Sequence, residues 1–318
     1  MIKYHSSSIA IIIPTKDRPD KIKNLLESLL IQSVPVNQII IVDGGKSIKS
    51  LVLSYIENLP VEYYSCYPPG QIKQRNLGIS KLKDNILLVA TLDDDLVLFE
   101  DSIEKMLKFW NEECPEDTGG VSFNIVNCIP EKHNLLKGIS GLTGPTPGRV
   151  LKSGRNTPIL NIKADIRSEW LCGGATVWKK NILVDNSFSE KNTKWAISED
   201  LIFSYPIGKK FPLYVCSKAR VNHEHVYDQN IKHKFRYYGK TETLWRFYFV
   251  ESNKNLSRSF FYWSQAAMII GRLILGCVKF NKRHFDFALG HLQGVIITLH
   301  SIIMKISPEL ILNDKTKK

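Results

Sequence analysis

The chain predicts an α/β protein on a mostly parallel sheet, followed by a C-terminal helical region. Strand-like and helix-like segments alternate through the first hundred residues, each strand ends in a polar or charged loop, and helical, aromatic-rich patterns take over from Phe235. Residues 9–13 form the first strand, closed by Pro14 and Thr15, and 19–32 a helix. The second strand is 38–42, closed by Asp43-Gly44-Gly45; a helix over 49–57 and a third strand over 61–65 follow. A helix from Gly70 to Leu82 leads to the apolar run 86–92, whose composition suits a strand covered on both faces. Directly behind it stand Asp93, Asp94 and Asp95, and then a helix over 100–110.

The middle of the chain is less regular. Residues 138–158 hold five Gly and three Pro, which predicts a long loop; from 132 to 163 the only charged residues are basic. Two stretches, 169–180 and 195–210, precede a strand-like run over 212–225. The predicted division is an α/β domain over 1–226, in halves 1–98 and 99–226, and a helical, basic and aromatic region over 227–318.

With 318 residues, 43% hydrophobic and 23% charged, the composition is that of a folded globular chain and excludes disorder except at the ends. Six cysteines without a C-x-x-C pair suggest neither a zinc knuckle nor a disulfide framework, and fit a reducing cytosol. The start reads as a first strand and not as a signal peptide. Of the net charge of +12, +8 lies in residues 223–318, where 15 Lys/Arg face 7 Asp/Glu. That excess points to an anionic partner, and the interleaved aromatic and aliphatic residues favour an anionic membrane surface over nucleic acid. Arg272 interrupts 266–280, and Asp286, His291, Gln293, His300 and Lys305 interrupt 285–306, so neither is expected to supply the roughly 20 clean apolar residues of a spanning helix. Peripheral attachment at the inner face of the cell membrane, or packing within a homo-oligomer, is the expectation.

Three adjacent carboxylates repel one another and are tolerated when solvated or when they meet a cation or ligand. At the C-terminal end of an α/β strand, where ligands bind, a divalent Mg²⁺ or Mn²⁺ with a nucleotide pyrophosphate fits them; a solvated loop capping the next helix is the simpler alternative. Alone, Asp43-Gly44-Gly45 is a turn, Arg75 a surface side chain, and Glu199-Asp200 the start of a helix. His223 and His225 alternate on a strand-like stretch and share a face, as ligands or as solvated or core histidines.

Taken in order, "IAIIIPTKDRPDKIKNLLESLLIQS", "IIIVDGG", "GQIKQRNLGIS", "LDDD" and "SED" give residues 8–205 the spacing of the family 2 glycosyltransferases, which the sequence resembles. These are inverting enzymes of the GT-A fold that use nucleotide-sugar donors, and the resemblance makes 1–226 the catalytic domain, with 1–98 its nucleotide-binding half and 99–226 its acceptor half. The resemblance implies that Pro14, Thr15 and Asp17 wrap the base and ribose and that Asp43 meets the base, commonly uracil. Many relatives carry two acids where this chain has Asp-Gly-Gly. Arg75 would face the nucleotide. Asp93 would face ribose or metal, Asp95 would bind the divalent ion on the diphosphate, and Asp94 could take either role. A histidine, His223 or His225, would complete the metal shell. Asp200 would be the general base and Glu199 an acceptor contact. Gly174 would let backbone approach the donor sugar, and Trp170 or Trp195 would stack on a sugar. The implied acceptor is a glycan or polyprenyl-linked carrier in bacterial surface polysaccharide synthesis. A sugar nucleotidyltransferase would need a Gly-rich loop after the first strand, and Pro-Thr-Lys-Asp-Arg-Pro has no glycine there. A non-catalytic membrane or anion binder on a transferase scaffold would not need the aspartates.

Overall fold

A computed structural model describes residues 3–130, 133–186, 197–224 and 234–312. The elements in chain order are β1 (Ile9–Thr15), α1 (Pro19–Leu30), β2 (Gln38–Asp43), α2 (Lys49–Leu53), β3 (Val61–Ser65), α3 (Gln71–Ile79), β4 (Leu88–Leu92), β5 (Leu96–Leu98), α4 (Ser102–Lys108) and β6 (Gly120–Ile125). There follow α5 (Leu135–Ile139), β7 (Ile166–Ser168), β8 (Ala175–Lys179), α6 (Lys180–Asp185), α7 (Glu199–Gly208), β9 (Leu213–His223), α8 (Phe235–Glu251), α9 (Arg258–Lys279), α10 (Lys282–Ile303) and α11 (Pro308–Leu312).

The β/α alternation forms for the expected reasons. Every residue of β1, β2 and β4 is buried, as their unbroken apolar runs require. In α1, Pro19 opens the helix and Ile22, Leu25, Leu26 and Leu29 recur at helical spacing and are buried. Each such fully buried Leu or Ile contributes about 1.5–3 kcal/mol.

The sheet order is β3-β2-β1-β4-β8-β6-β9-β5, with β7 on β9. Strands β3, β2, β1 and β4 are parallel, but β8 pairs antiparallel with both β4 and β6, and β5 and β7 pair antiparallel with β9. With β6 also parallel to β9, the expected α/β sheet stands, and β8, β5 and β7 add antiparallel pairings to it. No βαβ crossover leads into β8, which is reached through the long segment after β6, and that connection leaves its direction free.

Two compact units divide the chain. The first comprises 1–130, 158–190 and 203–225; the second comprises 131–157, 191–202 and 226–318. The sequence places one boundary at 226, and the division adds two earlier segments to the helical unit. In that second unit the long loop carries α5 and a short bridge, Val150 to Asn156. Its core includes Leu244, Trp245, Phe247 and Phe261.

The interruptions in the last stretches do not by themselves exclude a membrane crossing. By length and composition both α9 and α10, 22 residues each, are long and apolar enough. Two of the interruptions fall on covered positions: His291 is 1% exposed, and the Arg272 guanidinium stacks 4.6 Å over the Phe287 ring.

Candidate functional site

Within the first unit, the C-terminal ends of β1, β2 and β4 and the end of β9 bring a set of charged side chains together. Each aspartate of the triplet has its own partners. Asp93 Oδ1 accepts from Arg75 Nη2 and from Gln71 Nε2, both at 2.9 Å. Arg75 itself is 1% exposed, so it is a buried cation aimed at this edge and not a surface side chain. Asp94 accepts from Thr15 Oγ1 at 2.7 Å and from Arg18 Nη1 at 2.9 Å. Burial pushes the Asp94 carboxyl up, against the pull of Thr15 and Arg18. Asp95 takes Arg18 Nη1 at 3.1 Å on one oxygen and meets His223 Nε2 at 2.9 Å on the other. Burial lowers the pKa of His223, but the hydrogen bond to Asp95 and the charges of Asp95 and Asp93 outweigh it and raise the imidazole above its ordinary value.

The triplet is thus held by groups of the chain itself: two guanidiniums and an imidazole stand against three carboxylates. The backbone completes the frame. Asp93 N donates to Gly174 O at 2.8 Å, and any Cβ on Gly174 would collide with the Asp93 carboxylate. The close approach that glycine allows is to Asp93.

The nucleotide-side loops are held as tightly. Asp43 is 2% exposed, and its oxygens accept from Gly45 N (2.7 Å), Ile48 N (3.2 Å) and Tyr63 OH (2.7 Å). It therefore shapes the loop after β2. A Cβ on Gly44 would meet Pro69 Cβ at 2.8 Å and one on Gly45 would meet Asp17 Oδ1 at 2.5 Å, so neither glycine of Asp-Gly-Gly has room for a side chain. Asp17, at φ 56°, accepts from Lys46 N at 2.8 Å and closes that loop. Gln74 Nε2 donates to Thr15 O and Val42 O, both at 2.7 Å, tying β1 to β2 just behind Pro14 and Thr15.

Glu199 and Asp200 form the first turn of α7 in the second unit, half-buried, where a helix N-terminus favours negative charge. Trp170 is 8% exposed, so little of its ring is presented at the surface. Trp195 and His225 lie outside the described residues. Arg18, Gln71 and Tyr63 were not legible as site residues; Arg18 stands in a polar loop whose charge was visible, but no pattern tells which carboxylates it will reach.

Among the described residues no three His, Cys, Asp or Glu side chains converge as a metal cage. Asp95 and His223 nonetheless offer a hard oxygen and an imidazole nitrogen side by side. That pair suits Mn²⁺ or Mg²⁺ when phosphate and water supply the remaining ligands, as is usual for nucleotide sites.

Residues 10–160 match the model of the family described as Glycosyl transferase family 2. That segment, just under half of the chain, is similar to the family. It contains β1 to β6 and every aspartate of the triplet. An uncharacterized glycosyltransferase of Rickettsia felis is 31% identical over 110 residues, a match covering 34% of this chain and 18% of that relative's length. The mannosyltransferase PcManGT from Pyrobaculum calidifontis, in complex with GDP-Man and Mn²⁺, is similar with a TM-score of 0.55 and 12% identity over 98% of this chain and 84% of its own. GalNAc-T7 with UDP, GalNAc and Mn²⁺ has a TM-score of 0.55 and 14% identity over 82% of this chain and 54% of that one. At such identities the likeness speaks for the fold, and that fold is GT-A.

Proposed function

We propose that this chain is an inverting glycosyltransferase that moves a sugar from a nucleotide-sugar donor, a UDP-sugar, to a glycan or lipid-linked acceptor in surface polysaccharide synthesis. The observation that carries this reading is the ring of Arg18, Arg75 and His223 around Asp93, Asp94 and Asp95 at the C-terminal edge of a GT-A sheet. Similar folds bind GDP-Man or UDP together with Mn²⁺, which supports both a nucleotide donor and a divalent ion here.

Asp95 and His223 would hold that ion. When bound, it offsets the charge on the departing nucleoside diphosphate as a Lewis acid. Arg75 orients Asp93 toward the donor, and the loops fixed by Asp43 and Asp17 receive base and ribose. Asp200 takes the proton of the acceptor hydroxyl as it attacks the anomeric carbon, with Glu199 as an acceptor contact. The basic, aromatic C-terminal region holds the enzyme at the inner face of the cell membrane, beside a polyprenyl-linked acceptor.

A screen of nucleotide sugars for hydrolysis and thermal stabilisation, with and without Mn²⁺, tests the reading. Asp95→Ala is expected to abolish transfer and to remove the metal dependence of donor binding; unchanged donor affinity and activity in Mn²⁺ would sink the metal assignment. Asp200→Asn is expected to keep donor binding and lower turnover by about 10² to 10⁴-fold. Collapse of donor affinity with an intact chemical step would place the base elsewhere.

A further inference from the structure

The C-terminal helices of the second unit are built the wrong way round for water. α9 buries Ser264, Gln265 and Gly276 beside Phe261, and the buried positions of α10 are all small or polar, including Gly290, His291, Gly294 and Ser301. The large apolar side chains point outward: Ile270, Ile274 and Val278 on α9 and Leu292, Ile296 and Ile303 on α10 are 43–77% exposed. Only 22% and 33% of the most apolar stretches of the two helices are buried. Altogether the outward side chains amount to on the order of 1,000 Å² of apolar surface, beyond the few hundred Å² of a typical soluble monomer's largest patch.

The inner faces show how such helices cohere. Gly290 and Gly294 form a G-x-x-x-G pair facing α8: a Cβ on Gly290 would collide with Arg236 O, and one on Gly294 would meet Thr243 Cβ at 2.5 Å. Polar side chains bond across both seams of α10, Thr243 Oγ1 of α8 with His291 Nδ1 at 2.9 Å and Tyr262 OH of α9 with Thr298 Oγ1 at 3.2 Å. Small residues at the contact, polar bonds within and aliphatic residues without are the packing of helices in lipid, where hydrocarbon outside costs nothing.

Charge selects the occupant. Lys279 ends α9, Lys282 and Arg283 open α10, and Lys305 follows it, while Arg258 at the start of α9 is paired with Glu251. This basic rim complements anionic headgroups, whereas a second copy would bring like charges together. The burden on α8 selects the orientation. α8 lies along α10 and carries Glu242 and Arg246, so a hairpin crossing the bilayer would draw those charges into hydrocarbon, at high cost. Lying in the membrane plane, the pair submerges its outer faces alone.

We infer that α9 and α10 form a monotopic hairpin, inserted in plane into the acyl region of one leaflet. This goes beyond surface attachment by charge and deepens the membrane location of the proposed function, without depending on the donor. The test uses the full chain with phosphatidylglycerol/phosphatidylethanolamine vesicles, floated after washing in about 1 M salt, which screens charge beyond about 3 Å. The protein is expected to stay with the vesicles and to be released by detergent. Ile274→Glu combined with Ile296→Glu, at exposed positions, is expected to lower the retained fraction at least about tenfold with thermal unfolding unchanged. Trypsin added outside is expected to cut at Lys282. Release by salt, retention of the double variant, a dimer that ignores vesicles, or a protected Lys282 would each overturn the inference. Nucleotide-sugar hydrolysis by detergent-released protein reports on the proposed function separately.

Discussion

Asp93, Asp94 and Asp95 are neighbours in sequence with three different environments, and those differences define the site. Asp93 faces outward between Arg75 and Gln71, while Asp94 is 5% exposed and Asp95 8%. Because Gly174 leaves no room beyond its own hydrogen, Gly174→Ala is expected to displace the Asp93 carboxylate. The expected result is lost stabilisation by UDP in thermal unfolding, with the fold itself weakened by about 1–3 kcal/mol, as for other overpacking changes. Full UDP stabilisation in that variant would remove Asp93 from the donor site. That the triplet and Arg75 lie at one sheet edge was legible from order and spacing, whereas His223 was one of two histidines left open and the packing of Gly174 on Asp93 was not foreseen. Arg18 and Tyr63 were not, because their partners lie 76 and 20 residues away and only tertiary contact assigns them. Asp43 shows the limit from the other side: its position was legible, but its hydrogen bonds to the following loop were not.

At the scale of elements, the segments with long periodic patterns were legible, and short ones were not. β1, β2, β4 and α1 follow their apolar runs, whereas β5 and β7 have three residues each and show no period. The tie between the basic loop and α8 was hidden for the same reason. Arg155 Nη1 lies 3.3 Å from Glu242 Oε1, Arg246 Nη2 lies 3.7 Å from it, and Arg246 Nη1 donates to Gly154 O at 2.6 Å. Burial pushes the Glu242 carboxyl up, but Arg155 and Arg246 outweigh it and hold the group below its ordinary value of 4.5. A depressed folded-state pKa means that the stabilisation is fully present above about pH 4.5 and is lost as pH falls through the lower folded value. Glu242→Gln, which leaves two largely buried guanidiniums without their carboxylate, is expected to cost about 3 kcal/mol or more at pH 7. Thermal unfolding across pH is expected to show that gap between wild type and variant closing below pH 4.5; a gap constant with pH would mean that Glu242 acts by packing alone.

At the scale of the whole molecule, the chain does not divide where its composition changes. The basic, aromatic region begins near residue 227, yet the second unit also claims 131–157 and 191–202. The loop over 133–157 depends on the helices that follow. Its Lys152 O accepts from Ser257 N at 2.9 Å, its Ile139 O from Trp263 Nε1 at 2.9 Å, and its Gly154 O from Arg246. A chain ending at Val226 removes all three donors and the Glu242 carboxylate at once. Segments with few remaining contacts open locally and are cut by proteases at rates set by the open population. Such a chain is expected to be cleaved by trypsin at Lys137, Arg149, Lys152 or Arg155 at least about tenfold faster than the full chain. Equal cleavage rates would mean that the loop is held by the first unit, and a cut at 226 would then be a true domain boundary.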